Sequence, residues 1–369
     1  MARTRAQLPT VGPWLAAGIA LAGCSTPVEQ APQTVMAAAA SRPDAASCLG
    51  GSGPVVRIEG EQGYNPLAQA SWEPGTSFDA RGASWSAYLM PPPEARTCYP
   101  VQIGADWVDC PPARVDLYDD ATLSPDPGPP MCLSGGTIVG KQPASASWHD
   151  VKKSANAAVT VNAVGAIVEG MRIHNVEDAF LPLKSPDFVI RGNWVTYNRD
   201  DCIENDAYAG GTIEDNLFDG CYTFYSAVNK GIENPPVAPA GGPDAVVTFR
   251  ANLIRMQNMP GPYKQPREEW GYANVFKMWD PMAPGLALHD NIFLLEHPID
   301  AGWLNADSIE DRIVSCSNNT IVWLGEEEFY EDYPEECFRV ITDLAVWEEA
   351  RRDWLDRHPG VERLAGDQS

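Results

Sequence analysis

The stretch Ile190-Arg191-Gly192-Asn193-Trp194-Val195 decides the fold, because its pattern returns down the chain. An apolar residue, two variable residues, an asparagine, one more variable residue and a second apolar residue recur at Ile213 to Phe218 around Asn216 and at Phe249 to Ile254 around Asn252. The pattern comes back at Leu288 to Phe293 around Asn291 and at Cys316 to Ile321 around Asn319. An earlier copy, Val168 to Ile173, carries Met171 at the asparagine position. The first intervals are 22 and 23 residues and the later ones are longer, as in a coil with loops inserted at fixed corners.

Each copy holds only short runs of Val, Ile, Phe and Leu, too few to bury a core alone. A copy must therefore lie on its neighbours and pair backbone groups with them. An inward asparagine at each corner can adopt unusual φ/ψ values and hydrogen-bond to the next asparagine along the stack. The expected fold is all-β, a right-handed parallel β-helix (solenoid) over residues 135–324, with an irregular N-terminal cap and a C-terminal helix. A β-sandwich with Asn-rich turns is the alternative, disfavoured because sandwiches rarely repeat at this period. The asparagine column resembles that of right-handed parallel β-helix proteins of the pectate-lyase-like superfamily.

At the N-terminus, Arg3 and Arg5 precede an apolar run, Val11 to Leu21, too short to span a bilayer comfortably, which ends in Leu21-Ala22-Gly23-Cys24. This ending resembles the lipobox of bacterial lipoproteins. The resemblance implies a signal peptide over residues 1–23, lipidation of Cys24 and, with Ser25 following, an outer-membrane destination in the cell envelope. Residues 24–47 then read as a lipidated tether rich in Ala, Pro, Gln and Ser. Residues 48–134, with Pro91-Pro92-Pro93 and a first strand at Val55 to Ile58, read as an irregular section capping the open end of the solenoid, with a separate small domain as the alternative. Residues 325–369 read as an acidic loop and a helix closing the other end, where Leu344, Val346, Trp347, Trp354 and Leu355 recur at roughly helical spacing.

Apart from Cys24 the chain has eight cysteines, an even number that suits disulfides in an exported protein but permits 105 pairings. The repeat places Cys202 and Cys221 on adjacent coils, and Cys316 with Cys337 is the second pairing expected. None has zinc spacing. A net charge of −24 argues against nucleic acid and disfavours anionic polymers. The partners expected are a polysaccharide or glycan and a membrane held through the lipid, with the protein a monomer.

The stretch richest in chemistry is Arg199-Asp200-Asp201-Cys202-Ile203-Glu204-Asn205-Asp206. With Ile203 in the core, strand alternation turns Asp200, Cys202, Glu204 and Asp206 outward to solvent. Carrying the register one coil back puts Lys184 beside Asp206 and Asp178 beside Asp200. Carrying it forward puts Asn229 beside Asp206, Ala227 beside Glu204 and Tyr225 beside Cys202. Further along, Phe276 and Met278 face inward and leave Lys277 and Trp279 outward. The expectation is a lateral groove with Asp200, Asp201, Lys184 and Lys277 as catalytic candidates. Trp279, Tyr225 and Asn229 are its sugar-binding candidates, and Asp200, Glu204 and Asp206 would be the ligands of a Ca²⁺ ion.

Such a groove suits three chemistries: Ca²⁺-assisted β-elimination with a Lys base, glycoside hydrolysis by two carboxylates, and sugar binding on Tyr and Trp faces without turnover. Asp200-Asp201-Cys202-Ile203 resembles the paired-aspartate motif of polygalacturonases, which implies catalytic acid and base roles for the two aspartates. That family's downstream Gly-His-Gly and Arg-Ile-Lys are missing, and Asn175-Val176-Glu177-Asp178 stands where it has Asn-Thr-Asp. Polysaccharide cleavage as a lyase or hydrolase, non-catalytic glycan binding and a structural envelope role all stay open at this level.

Overall fold

In the computed structural model, 21 strands among the described residues form one sheet in which every described pairing is parallel, wound nearly round an axis as a parallel β-helix. The structure describes residues 47–364 apart from 64–66, 68–72, 88–100, 104–105, 109–114, 119–129, 153–156, 184, 229–239, 264–268, 297–308, 327 and 330–333. The signal peptide, Cys24 and the tether therefore lie outside the described residues, as do Lys184 and Asn229. Among the described residues no helix is long and apolar enough to cross a membrane.

Every repeat phrase crosses one corner of the coil. The apolar residues before the asparagine form the strands Phe188–Arg191, Gly211–Glu214, Val246–Arg250, Gly285–His289 and Ile313–Ser317, stacked in that order. Those after it open the strands Trp194–Glu204, Leu217–Ser226, Leu253–Met256, Ile292–Leu295 and Asn319–Trp323, stacked likewise. At the corner, Nδ2 of Asn193, Asn216, Asn252 and Asn291 donates to Oδ1 of the next asparagine at 2.9, 3.0, 3.0 and 2.9 Å, ending on Asn319. Each Oδ1 also accepts a backbone N–H from the coil before, beginning with Met171 N to Asn193 at 2.9 Å. The asparagines thus satisfy the buried backbone that the turn leaves unpaired.

Asparagine serves the corner by its side chain and not by tolerance of strained angles. The left-handed residue is the one before it: Gly170, Gly192, Asp215, Ala251, Asp290 and Asn318, with φ between 51° and 67°. Alanine is the poorest choice in that set, because its Cβ crowds the following carbonyl without an Asp or Asn side chain to compensate. Ala251→Gly is expected to raise stability by about 0.5–1 kcal/mol, strain relief exceeding the entropy that glycine adds to the unfolded chain. Thermal unfolding of the two proteins checks it.

The stack begins upstream of Gly135. Val55–Gly63 pairs with Ser77–Ala87, which pairs with both Cys132–Ser134 and Thr137–Gly140, while Val115–Tyr118 lies on Ala157–Asn162. These strands belong to the solenoid itself, although no asparagine phrase marks them. The disulfides Cys202–Cys221 and Cys316–Cys337 join as expected, and Cys48–Cys132 is a third. Three disulfides suit an extracellular or periplasmic location.

The C-terminal helix, Leu344–Arg357, does not close an end of the solenoid. It lies along the flank, where Trp347 and Trp354 bury against Trp194, Leu217, Leu253, Leu294 and Val322, outward side chains contributed by five successive coils. Trp354 Nε1 donates to Asp215 O at 2.8 Å, Arg351 pairs with Asp219 at 2.6 Å and Arg357 with Asp215 at 3.0 Å. Past the helix, Glu362 accepts from Thr137 Oγ1 near the start of the stack. The helical spacing was legible, but the apolar stripe it covers was not, because those residues sit singly at outward positions. Trp354→Ala is expected to cost about 3 kcal/mol, the price of a fully buried aromatic, read as a lower midpoint in urea.

Candidate active site

The strand Trp194–Glu204 carries one extra residue at the point where the acids cluster. Asn198 pairs with Cys221 but Asp201 with Thr223, so three steps on one strand face two on the next. Such a bulge breaks the alternation that would send consecutive side chains to opposite faces. Asp200 and Asp201 therefore both reach the same group: with Asp178, their carboxylate oxygens lie within 4.8 Å of one another.

The bulge also corrects the register. Phe180 pairs with Ile203, and Asp201 N donates to Asp178 Oδ1 at 2.9 Å, so Asp178 stands beside Asp201, not Asp200. On the following coil Tyr225 pairs with Ile203, and Phe276 pairs with Tyr225. Tyr225 consequently points into the core with Phe180 and Phe276, fully buried, its hydroxyl bonded to Asn205 at 2.9 Å, and it offers no face to a sugar. Ser226, not Ala227, is the partner of Glu204, and Lys277 follows on Ser226. The result is an outer column Glu204, Ser226, Lys277 next to the inward aromatic one.

Nor do the aspartates face solvent. Asp178, Asp200 and Asp201 are 2%, 3% and 0% exposed. Burial of several carboxylates is prohibitive unless they are paired, and here two lysines pair them. Lys277 Nζ lies 3.0 Å from Asp201 Oδ2 and 3.3 Å from Oδ1. Lys152 Nζ bridges Asp200 Oδ2 at 3.0 Å and Glu177 Oε1 at 3.2 Å. Lys152 follows a single helical turn, Trp148–Val151. The Trp148 indole N–H donates to Asp200 Oδ1 at 3.0 Å, its ring rests on Tyr263 at 4.9 Å, and its backbone N–H binds Gly261 O.

The approach to this turn is tied down by Asn175, which donates to Gly140 O and Gln142 O, by Tyr197, which donates to Ala144 O, and by Arg199, which donates to Pro143 O and Ala146 O. Trp148, Lys152 and Glu177 were not identified in the sequence. Trp148 and Lys152 come from a loop with no recurring phrase, and Glu177 could have been found only by placing the bulge. Lys277 joins the cluster; Trp279 lies two residues on, 51% exposed, and Asp206 is not among the converging oxygens.

The electrostatics separate the acids. Burial pushes Asp178 well above the usual carboxylate range, reinforced by the charges of Glu204 and Glu177. Burial likewise raises Asp201 and Glu204, with neighbouring carboxylates adding to it and Lys277 and Lys152 opposing. Asp200 goes the other way: burial would raise it, but Lys277, Lys152 and the Trp148 N–H together hold it low. Both lysines would be lowered by burial, yet the surrounding carboxylates raise them well above an ordinary lysine. They are ammonium ions at neutral pH.

No family model, curated protein or solved structure matches this chain.

Asp178, Asp200 and Asp201 supply hard oxygens for a cation such as Ca²⁺. They fit it poorly, since Ca²⁺ takes six to eight oxygens and two ammonium groups already compete for these. The raised Asp178 has a measurable consequence. The folded chain holds that proton to a higher pH than the unfolded chain, so from about pH 4 upward folding binds extra proton and stability falls as pH rises. Asp178→Asn keeps an acceptor for the Asp201 N–H and removes the penalty. Its melting temperature is expected to exceed that of the parent at pH 8, with the gap closing toward pH 4 in calorimetry.

Proposed function

We propose that this chain is an exported, lipid-anchored right-handed parallel β-helix protein of the pectate-lyase-like type that hydrolyses polysaccharide at the Asp178, Asp200, Asp201 cluster. The observation that carries the reading is the divergence of neighbouring carboxyls: Asp200 is held ionised while Asp201, against it, is held toward the protonated form. Environments that push two titratable groups apart assign an acid and a base. Asp201 donates a proton to the leaving glycosidic oxygen, Asp200 accepts one from the attacking water, and Lys277 and Lys152 hold the two carboxylates in place.

Hydrolysis is preferred to β-elimination because the lysines carry their protons and cannot act as bases. Exposed Trp279 and Tyr263 give sugar-sized faces. Export is supported by the disulfides, and the anchor by the resemblance of Leu21 to Cys24 to a lipobox.

A glycan-binding protein without turnover is the second reading, favoured by the Trp148 indole seated on Asp200. Incubating the chain with a panel of neutral, amino and uronic polysaccharides separates the two. Reducing ends released by the parent and not by Asp200→Asn support hydrolysis, unsaturated products in the ultraviolet would instead make it a lyase, and binding without either product leaves the adhesive reading.

A further inference from the structure

Two half-cystines border the bulge that gathers the acids. Cys202 follows Asp201 directly, and both it and its partner Cys221 are wholly buried. The ladder pairs Asp201 with Thr223 and Ile203 with Tyr225, which sets Cys202 level with Phe224, three residues past Cys221. On straight strands three residues span about 10 Å, whereas the Cα atoms of a disulfide stay within about 7 Å of each other. Here they are 5.9 Å apart. Both chains must therefore bend at this point, and both do.

On the first strand the bend is the bulge between Asn198 and Asp201. On the second, Leu217–Ser226 slips against Leu253–Met256 between Asp219 and Cys221, where Gly220 takes φ 124°. A Cβ at Gly220 would stand 2.3 Å from Gln257 Oε1 and 3.0 Å from Tyr197 N, so the bend requires glycine. Toward the preceding coil the bulged segment is held by hydrogen bonds from Arg199 N to Val176 O, Asp200 N to Glu177 O and Asp201 N to Asp178 Oδ1, at 2.8, 2.9 and 2.9 Å. Toward the following coil the ladder passes from Asn198 straight to Asp201, and the covalent link to Cys221 stands beside the gap. An unbulged ladder would send Asp200 and Asp201 to opposite faces. It would also set Cys202 level with Tyr225, one residue further from Cys221, so the cross-link opposes it.

We propose that the Cys202–Cys221 disulfide is a positioning element for the acid pair: it holds the bulge against the following coil and so keeps Asp200 and Asp201 together. Its effect on turnover rests on the hydrolase reading; its effect on the bulge does not.

The test compares the full chain carrying Cys202→Ala and Cys221→Ala with one carrying Cys316→Ala and Cys337→Ala. The two bridges span 19 and 21 residues, so their loss frees the unfolded chain nearly equally. Hydrogen exchange of peptides covering 198–203, read by mass spectrometry, is expected to quicken about ten-fold or more in the first variant and to keep the parent rate in the second, with Asn252 protected in both. In polysaccharide hydrolysis the first variant is expected to lose about a hundred-fold in kcat with KM little changed. Equal exchange at 198–203 in the two variants would reduce the bridge to a general staple and overturn the proposal. Full turnover in a chain whose 198–203 amides exchange freely would overturn it as well. If the double alanine chain does not fold, Cys202→Val with Cys221→Ala refills the sulfur volume and takes its place; failure of both to fold would count against the proposal, since a positioning element is dispensable to the coils. The exchange difference without turnover in the parent would keep the positioning role and remove hydrolysis.

Discussion

Asn252→Ala is expected to destabilise the solenoid by about 4–5 kcal/mol, among the largest effects of any single substitution in this chain. Asn252 sits in the middle of the ladder, wholly buried. Its Oδ1 accepts from Asn216 N and Nδ2 at 3.1 and 3.0 Å, and its Nδ2 donates to Ile213 O at 2.8 Å and to Asn291 Oδ1 at 3.0 Å. Alanine strands the Asn216 N–H and the Ile213 carbonyl in the core and takes one acceptor from the Asn216 amide. Each orphaned buried group costs about 1–3 kcal/mol, and the vacated volume adds to the total. Chemical denaturation measures the loss. A value within 1 kcal/mol of the parent would mean that water replaces the ladder without penalty and that the corner, not the asparagine, holds the coils together.

The second large effect is chemical. Asp201→Asn is expected to lower polysaccharide hydrolysis by about three orders of magnitude, within the range for loss of a general acid, with the fall in kcat and little change in KM. An amide has no acidic proton to donate, whereas burial and the Asp200 charge raise the proton affinity of Asp201. The fold should survive, because the Asp201 backbone N–H keeps its bond to Asp178 and the Cys202–Cys221 disulfide lies alongside. Retained activity in a folded Asp201→Asn protein would move the chemistry away from this strand.

The two substitutions mark what the sequence could and could not disclose. The ladder was legible because one side chain solves the same problem on every coil, so its solution is written at each corner in the same phrase. The left-handed residue before it was less so, since Gly, Asp, Ala and Asn all fill that place. At the candidate site, strand alternation from Ile203 outward placed Glu204 correctly on the outer wall but failed at Asp200 and Asp201, because an inserted residue between Asn198 and Asp201 has no signature of its own. The same slip put Tyr225 on the wall when it belongs to the core. Lys152 and Trp148 were invisible for a different reason: their position depends on how Asn175, Tyr197 and Arg199 hold an intervening loop, which is a property of the assembled coils.

A solenoid built only of neighbour contacts frays from its ends, each winding peeling away with little effect on those further in. The flanking helix changes that behaviour here. Because Leu344–Arg357 rests on five windings and Glu362 reaches back to Thr137, a segment that follows the coils in sequence is bonded to a strand near the start of the stack. The belt turns a sequence of small local openings into a single concerted event, and the coils gain their full resistance to unwinding only with the helix laid across them.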